Sequence, residues 1–353
     1  MTPANTEDDL VWAGFPKLKA QFEKRIKRSI RIPNSSLVLN WGEYGSGKTH
    51  AARFFSKKSV LEKIAGDGSI PYSMVLPLPK GKEPVIAIFT AVIDKLQFKL
   101  IREQFDKSDI DIAQVVEAIT ENTLIQSVLK AIFNSDDNDL DLLRKYLYGN
   151  VTKSELSGLN KYGILRQLSS DTDYTKLLAG LFTCLTYKKQ VYSSIIIWLD
   201  EFEDLAILSS SNIDKTNNFL REVIDNTPDN LLIFLNLTQS SLFGVEDLGQ
   251  YVYESVRSRI KERISFDLPS NDEFKEYIKS LLAYFRIEGE HQGFFPFEEE
   301  TIDEVLRVQT NASLRKVNED LSLLLELAEM EDECPITKSF YEDNKGDIIG
   351  WKE

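Results

Sequence analysis

Apolar positions along the chain follow two rhythms. Segments built on apolar runs of strand length occur at 36–41 (SLVLNW), 72–79 (YSMVLPLP), 193–205 (SSIIIWLDEFEDL), 230–241 (NLLIFLNLTQSS) and, shorter, 263–269 (RISFDLP). Runs of this kind suit strands covered on both faces. Between them the apolar residues recur with helical spacing, at 84–105, 112–133, 174–190 and 216–226. This alternation predicts an α/β fold, a mostly parallel sheet with helices on both faces. The rhythm breaks at about 106–190, where only helical patterns appear, and this region is predicted as a helical insertion between two strands. After 270 the pattern is all helix. The expected organisation is an N-terminal segment and helix (1–35), an α/β domain (36–269), a smaller helical domain (270–329) and an acidic surface tail (330–353).

The junction between the first strand and the next helix reads NWGEYGSGKTHAARFF (40–55). Gly42, four residues, then Gly47-Lys48-Thr49 has phosphate-loop spacing, in which backbone N–H groups wrap phosphates. Gly42, Gly45 and Gly47 let the backbone turn sharply and approach an anion closely. The nucleotide-binding assignment covers Gly42, Glu43, Tyr44, Gly45, Ser46, Gly47, Lys48, Thr49 and His50. Lys48 would reach the β and γ phosphates of ATP, and Thr49 would offer its hydroxyl to Mg²⁺.

The run at 193–205 delivers Asp200 to the C-terminal end of its strand, where open α/β sheets hold their ligands. Asp200 is the second candidate Mg²⁺ ligand, and Glu201 the group that orients or deprotonates attacking water. Glu203 and Asp204 read as surface acids. FLNLTQ (234–239) places Asn236 and Thr238 at the end of another buried strand, and either fits a polar contact to the γ phosphate. Arg257, Arg259 and Arg263 precede or enter the last strand, and Arg315 begins a helix near 314.

The order of these motifs resembles that of the AAA+ ATPases, and within them the origin-recognition and replication-initiator branch. The resemblance implies that Arg259, in SRI, is an arginine finger serving a neighbouring subunit. It implies that Arg315, in NASLRKV, is a sensor in the lid, and that Phe15 and Pro16 lie near the adenine. RKYLYGN, LSGLNKYGILRQL and LLAGLFTCL, leading into SIIIWLDEFEDL, further resemble bacterial ORC-type ATP-binding proteins of phage-defence loci, including the BREX type. This implies an oligomeric ATP hydrolase with a partner protein from the same locus, acting on DNA or on a DNA-bound partner. A signalling switch that recruits or releases an effector without touching DNA stays open beside it. Initiators add a winged-helix domain after the lid, and the sequence ends too soon for one.

Charge narrows the picture. With 42 Lys and Arg against 56 Asp and Glu, the net charge is −14, so any nucleic-acid contact must come from a local basic patch. The segment KLKAQFEKRIKR could touch phosphates, but it reads better as an amphipathic helix whose Leu18, Phe22 and Ile26 pack inward while the lysines face water. Cys184 and Cys334 have no metal-ligand spacing and suggest a reduced, cytoplasmic setting. The N-terminus lacks a signal-peptide layout, and no apolar run is long enough to span a membrane.

Overall fold

The computed structural model describes residues 10–239, 244, 247–286, 292–308 and 313–349. Five strands, β1 (Ser36–Glu43), β2 (Tyr72–Pro77), β3 (Ile195–Asp200), β4 (Leu231–Gln239) and β5 (Ile260–Phe266), form one parallel sheet in the order β2-β3-β4-β1-β5. Registers pair Ile195 with both Tyr72 and Leu231, and continue residue by residue along the three strands. β3 and β4 are buried along their apolar length, and Trp198 stacks on Phe234 with ring centroids 3.9 Å apart. That dry centre explains their near-continuous Ile, Leu and Phe.

Seventeen helices are described among these residues. α1 (Pro16–Arg31) precedes β1, and α2 (Lys48–Phe55) and α3 (Lys58–Ala65) lie between β1 and β2. From β2 to β3 the chain is helical throughout: α4 (Pro84–Lys95), α5 (Phe98–Asp106), α6 (Ile112–Ile119), α7 (Thr123–Asn134), α8 (Asp137–Leu147), α9 (Lys153–Gly158) and α10 (Asp171–Thr186). α11 (Ser210–Asn226) joins β3 to β4, and the short α12 (Leu248–Tyr251) and α13 (Glu254–Arg257) join β4 to β5. α14 (Asn271–Phe285), α15 (Glu299–Val308), α16 (Leu314–Met330) and α17 (Lys338–Ile349) follow.

Two helical patterns that read as continuous are broken. The 84–105 pattern ends at Leu96, which is extended, and the Tyr72 hydroxyl donates to the Lys95 carbonyl and caps the end of α4. The 112–133 pattern breaks at Thr120, because the Asn122 side chain accepts from the N–H groups of Leu124 and Ile125 and starts α7 afresh. Such a cap is worth about 1 kcal/mol. α10 is the insertion's central helix, buried on nearly every side. Gly180 lets α7 come close, since a Cβ there would stand 2.8 Å from Leu129 Cδ1. Asp173, only 6% exposed, is held by both guanidinium nitrogens of Arg166 at 2.7 and 3.1 Å, which keeps its carboxyl below the usual range.

The chain separates into two compact units. One contains residues up to Phe22, Trp41–Phe54, and Ser265 onward; the other contains Glu23–Asn40 and Phe55–Ile264. In the first, Phe274, Ile302, Val317, Leu324, Ile336 and Tyr341 share a core with Ile348. The acidic tail expected as a surface extension therefore contains a packed helix: Tyr341 of α17 is fully buried. Its sparse apolar residues bury against α15 and α16, and its charge count concealed them.

Candidate functional site

The phosphate-loop stretch belongs to the first unit. β1 ends at Glu43, the loop turns through Gly45 (φ 74°) and Gly47 (φ 99°), and α2 begins at Lys48. These two positive φ angles are strained for any residue with a Cβ. Gly42 is required for another reason: a Cβ there would lie 2.6 Å from Phe266 Cβ. Lys48 is 6% exposed, and its ammonium donates to the carbonyls of Gly42 (2.9 Å) and Glu43 (2.8 Å) and to Ser46 Oγ (3.2 Å). These three acceptors all belong to the loop. Thr49 follows on the first turn of α2, half-buried.

The lid helix of the same unit meets this loop. The Arg315 N–H donates to the Gly45 carbonyl at 3.3 Å. Its guanidinium lies over the Tyr44 ring, 4.5 Å from the centroid, and also donates to the Tyr44 hydroxyl. Ser313 caps α16, and a Cβ on Gly45 would stand 2.8 Å from its hydroxyl. Arg315 is thus beside the phosphate loop of its own chain, as a cation–π partner of an exposed tyrosine. His50 points elsewhere, its Nε2 hydrogen-bonded to the Val11 carbonyl at 2.6 Å. Phe15 packs on Tyr277 of α14 at 5.7 Å, and exposed Pro16 opens α1.

The acidic group belongs to the second unit. Asp200 ends β3, and Glu201 turns out of the strand with φ 55° and ψ 39°. A left-handed glutamate is uncommon, and such strain gathers at functional positions. Three side chains form a relay across β1, β4 and β3. Asn40 Nδ2 donates to Asn236 Oδ1 at 2.7 Å, and Asn236 Nδ2 donates to Asp200 Oδ1 at 3.0 Å. Both asparagines are fully buried. The carboxylate sets the direction: it can only accept, so Asn236 turns its amide NH₂ to Asp200 and its oxygen to Asn40. Asn236 therefore orients Asp200. Thr238 is tied by its backbone N–H to Glu203 Oε2 at 2.9 Å.

Sequence reasoning missed several participants. Asn40 left a signal, an amide inside an apolar strand, since a buried polar group needs a partner. Lys80 left none. Its ammonium lies 2.9 Å from Asp204 and 3.7 Å from Glu201, just beyond the end of β2. Both acids raise its pKa, Asp204 most. Glu203 and Asp204 are not free surface acids: one holds β4 and the other holds Lys80.

Arg259 lies where β5 begins, and its carbonyl accepts from the Leu37 N–H at the start of β1. Its guanidinium is paired with both oxygens of Asp225, at 2.7 and 2.6 Å. Arg257 pairs with Glu254 at 2.8 Å. Among the described residues no cluster of three or more His, Cys, Asp and Glu could enclose a metal ion, and no helix is long and apolar enough to cross a membrane.

Neither a protein-family model nor a curated protein matches the sequence. Solved structures do. The chain is similar to the ORC1 protein of Aeropyrum pernix in complex with DNA, at 13% identity and TM-score 0.52, over 98% of this chain and 69% of that one. The ORC2 protein of the same organism is similar in its ADPNP–ADP complexes (11%, TM-score 0.55, 98% and 71%) and in its ADP form (11%, TM-score 0.54, 92% and 66%). At such identities the likeness speaks for architecture alone: the chain has the ORC-like fold of the AAA+ P-loop NTPases.

Proposed function

We propose that the protein binds and hydrolyses ATP as an AAA+ ATPase that oligomerises and acts on DNA or on a DNA-bound partner, in bacterial defence against phage. The phosphate loop carries the reading. It is a strand–loop–helix junction with glycines at the two positive-φ positions and a buried lysine whose donors line the turn. On binding, Lys48 exchanges its carbonyl acceptors for phosphate oxygens, and the loop N–H groups and the start of α2 complete the cradle. Mg²⁺ fits the donor set, since it keeps most of its waters and needs only one or two protein oxygens. Thr49 and Asp200 would hold it, and it would neutralise charge on the phosphates. Glu201 orients water, Arg315 reports nucleotide to the lid, and Arg259 serves another copy.

The relay gives this mechanism a pH signature. Asn40→Asp places a carboxyl opposite Asn236 Oδ1. Ionised, it repels that oxygen and favours a flipped amide, which turns an oxygen toward Asp200. Protonated, it donates as the asparagine did. Burial raises its pKa, so the variant should be active at low pH and lose activity as pH rises through that value. Loss of a partner that orients a metal ligand costs about 10–100-fold. We expect a defect of that size at pH 8, with a raised Mg²⁺ requirement that shrinks toward pH 6, while the wild type shows no such recovery. A defect equal at both pH values reduces Asn40 to packing.

Phosphate release from Mg-ATP, measured with and without duplex DNA, tests the function. The expected result is turnover that DNA raises several-fold. Turnover indifferent to DNA, with an effector retained only in the ATP state, points instead to the switch. Transfer of phosphate to an acceptor excludes both.

A further inference from the structure

A second basic cavity lies in the second unit, where β1 and β5 begin. It has a volume of about 270 Å³ and is lined by Arg25, Arg28, Ser29, Asn34, Ser36 and Lys261. Arg25 is its unusual member. It stands on the buried stripe of α1 beside Ile26 and is only 5% exposed. One guanidinium nitrogen donates to Ser36 Oγ, while the buried Nε has no acceptor.

A buried cation is normally paired with a carboxylate. Among the described residues no carboxylate oxygen lies within 4 Å of Arg25, Arg28 or Lys261, although Glu262 is near enough to raise the Arg25 pKa. Burial and the neighbouring Arg28 push that pKa down. Two like charges side by side, one desolvated, form an arrangement that an anion stabilises. Two hydroxyls, an amide and the Ile32 side chain complete the lining, and its polar groups suit an anion with several acceptor oxygens. The volume is just below the small-ligand range, which starts at about 300 Å³.

We propose that this cavity binds a phosphate group, carried either by a free phosphorylated small molecule or by a nucleic-acid backbone. Arg25 supplies the fixed, desolvated charge, and Arg28 and Lys261 close over the anion from the exposed rim. No residue of the phosphate loop lines this site, and binding there would not depend on ATP hydrolysis.

Binding of inorganic phosphate and of a duplex DNA oligonucleotide is measured by calorimetry on the full chain, in the wild type and in Lys48→Ala, where the loop is disabled. Each is compared with its Arg28→Ala/Lys261→Ala derivative, whose substitutions are at exposed positions. Arg25→Met, close in volume, is added if its melting midpoint shows that it folds. The expected result is phosphate binding that survives Lys48→Ala and weakens at least ten-fold when Arg28 and Lys261 are removed. Binding of DNA alone also supports the site, with a backbone phosphate as the ligand, provided the rim substitutions flatten the log–log salt slope by about 1.8, roughly 0.9 per contact. If neither probe binds, or if the rim substitutions leave binding of both unchanged, the proposal is overturned.

Discussion

Lys48→Ala should abolish ATP binding, whereas Glu201→Gln should retain binding and stop turnover. The two residues differ in when they act. Lys48 is buried in the loop with its three donors on Gly42, Glu43 and Ser46, so nucleotide phosphates replace acceptors it already has. Its charge is needed in the bound ground state, and alanine leaves nothing to take the phosphate charge. Glu201 lies at the strand exit in a left-handed turn, exposed to water and near Lys80. Glutamine keeps its shape and removes only the carboxylate that orients or accepts a proton from water, worth about 10²–10⁴-fold as a general base. A fluorescent ATP titration and a phosphate-release assay on the same samples separate the effects. Equal ATP affinity for wild type and Lys48→Ala would refute the phosphate-loop assignment. Brisk hydrolysis by Glu201→Gln would move the role to Glu203, although its Oε2 already accepts the Thr238 N–H.

The parts of this site that could be read in the sequence are those whose residues are covalent neighbours. A glycine-punctuated turn between strand and helix, or an acid pair closing an apolar run, is local chemistry written in order. The relay is not. Asn40 and Asn236 meet across 196 positions, and their contact follows from β4 lying beside β1 in the sheet. Lys80 sits in PLPKGKEP, a stretch that signals only a loop, and the pairing of β2 with β3 brings it to the acids. Helix ends were misread for the same reason. Periodicity carries through Lys95, but Tyr72, 23 positions earlier, takes its carbonyl and ends the helix. Arg25 shows the converse: Lys24, Lys27 and Arg28 around it are exposed, and only the fold reveals that this one charge is enclosed.

Removal of Arg259 should leave ATP binding intact and lower hydrolysis by about 10³-fold or more, because a finger supplied in trans is worth roughly 10³–10⁵ in rate. It lies at the start of β5, beside the start of β1. As an arginine finger it would complete the phosphate site of another copy. In the single chain it is held by both oxygens of Asp225, with the two side chains 27% and 46% exposed. Surface pairs of this kind contribute little to stability, so the pair can open when a neighbour docks. Specific activity should therefore rise with protein concentration, and a mixture of Arg259→Ala with Lys48→Ala should regain activity that neither has alone. One supplies an intact pocket and the other an intact finger. Asp225→Asn separates this role from mere loss of an ion pair. It breaks the same pair but frees the arginine, so it should keep activity and shift half-maximal turnover to lower protein concentration. Arg257→Ala, which loses an ion pair to Glu254, should change little. If Asp225→Asn is as inactive as Arg259→Ala, the pair matters for folding and the arginine is not a finger. If the mixture shows no rescue and specific activity stays flat with concentration, each chain works alone, and the loop with its Arg315–Tyr44 contact is better understood as a nucleotide-gated switch.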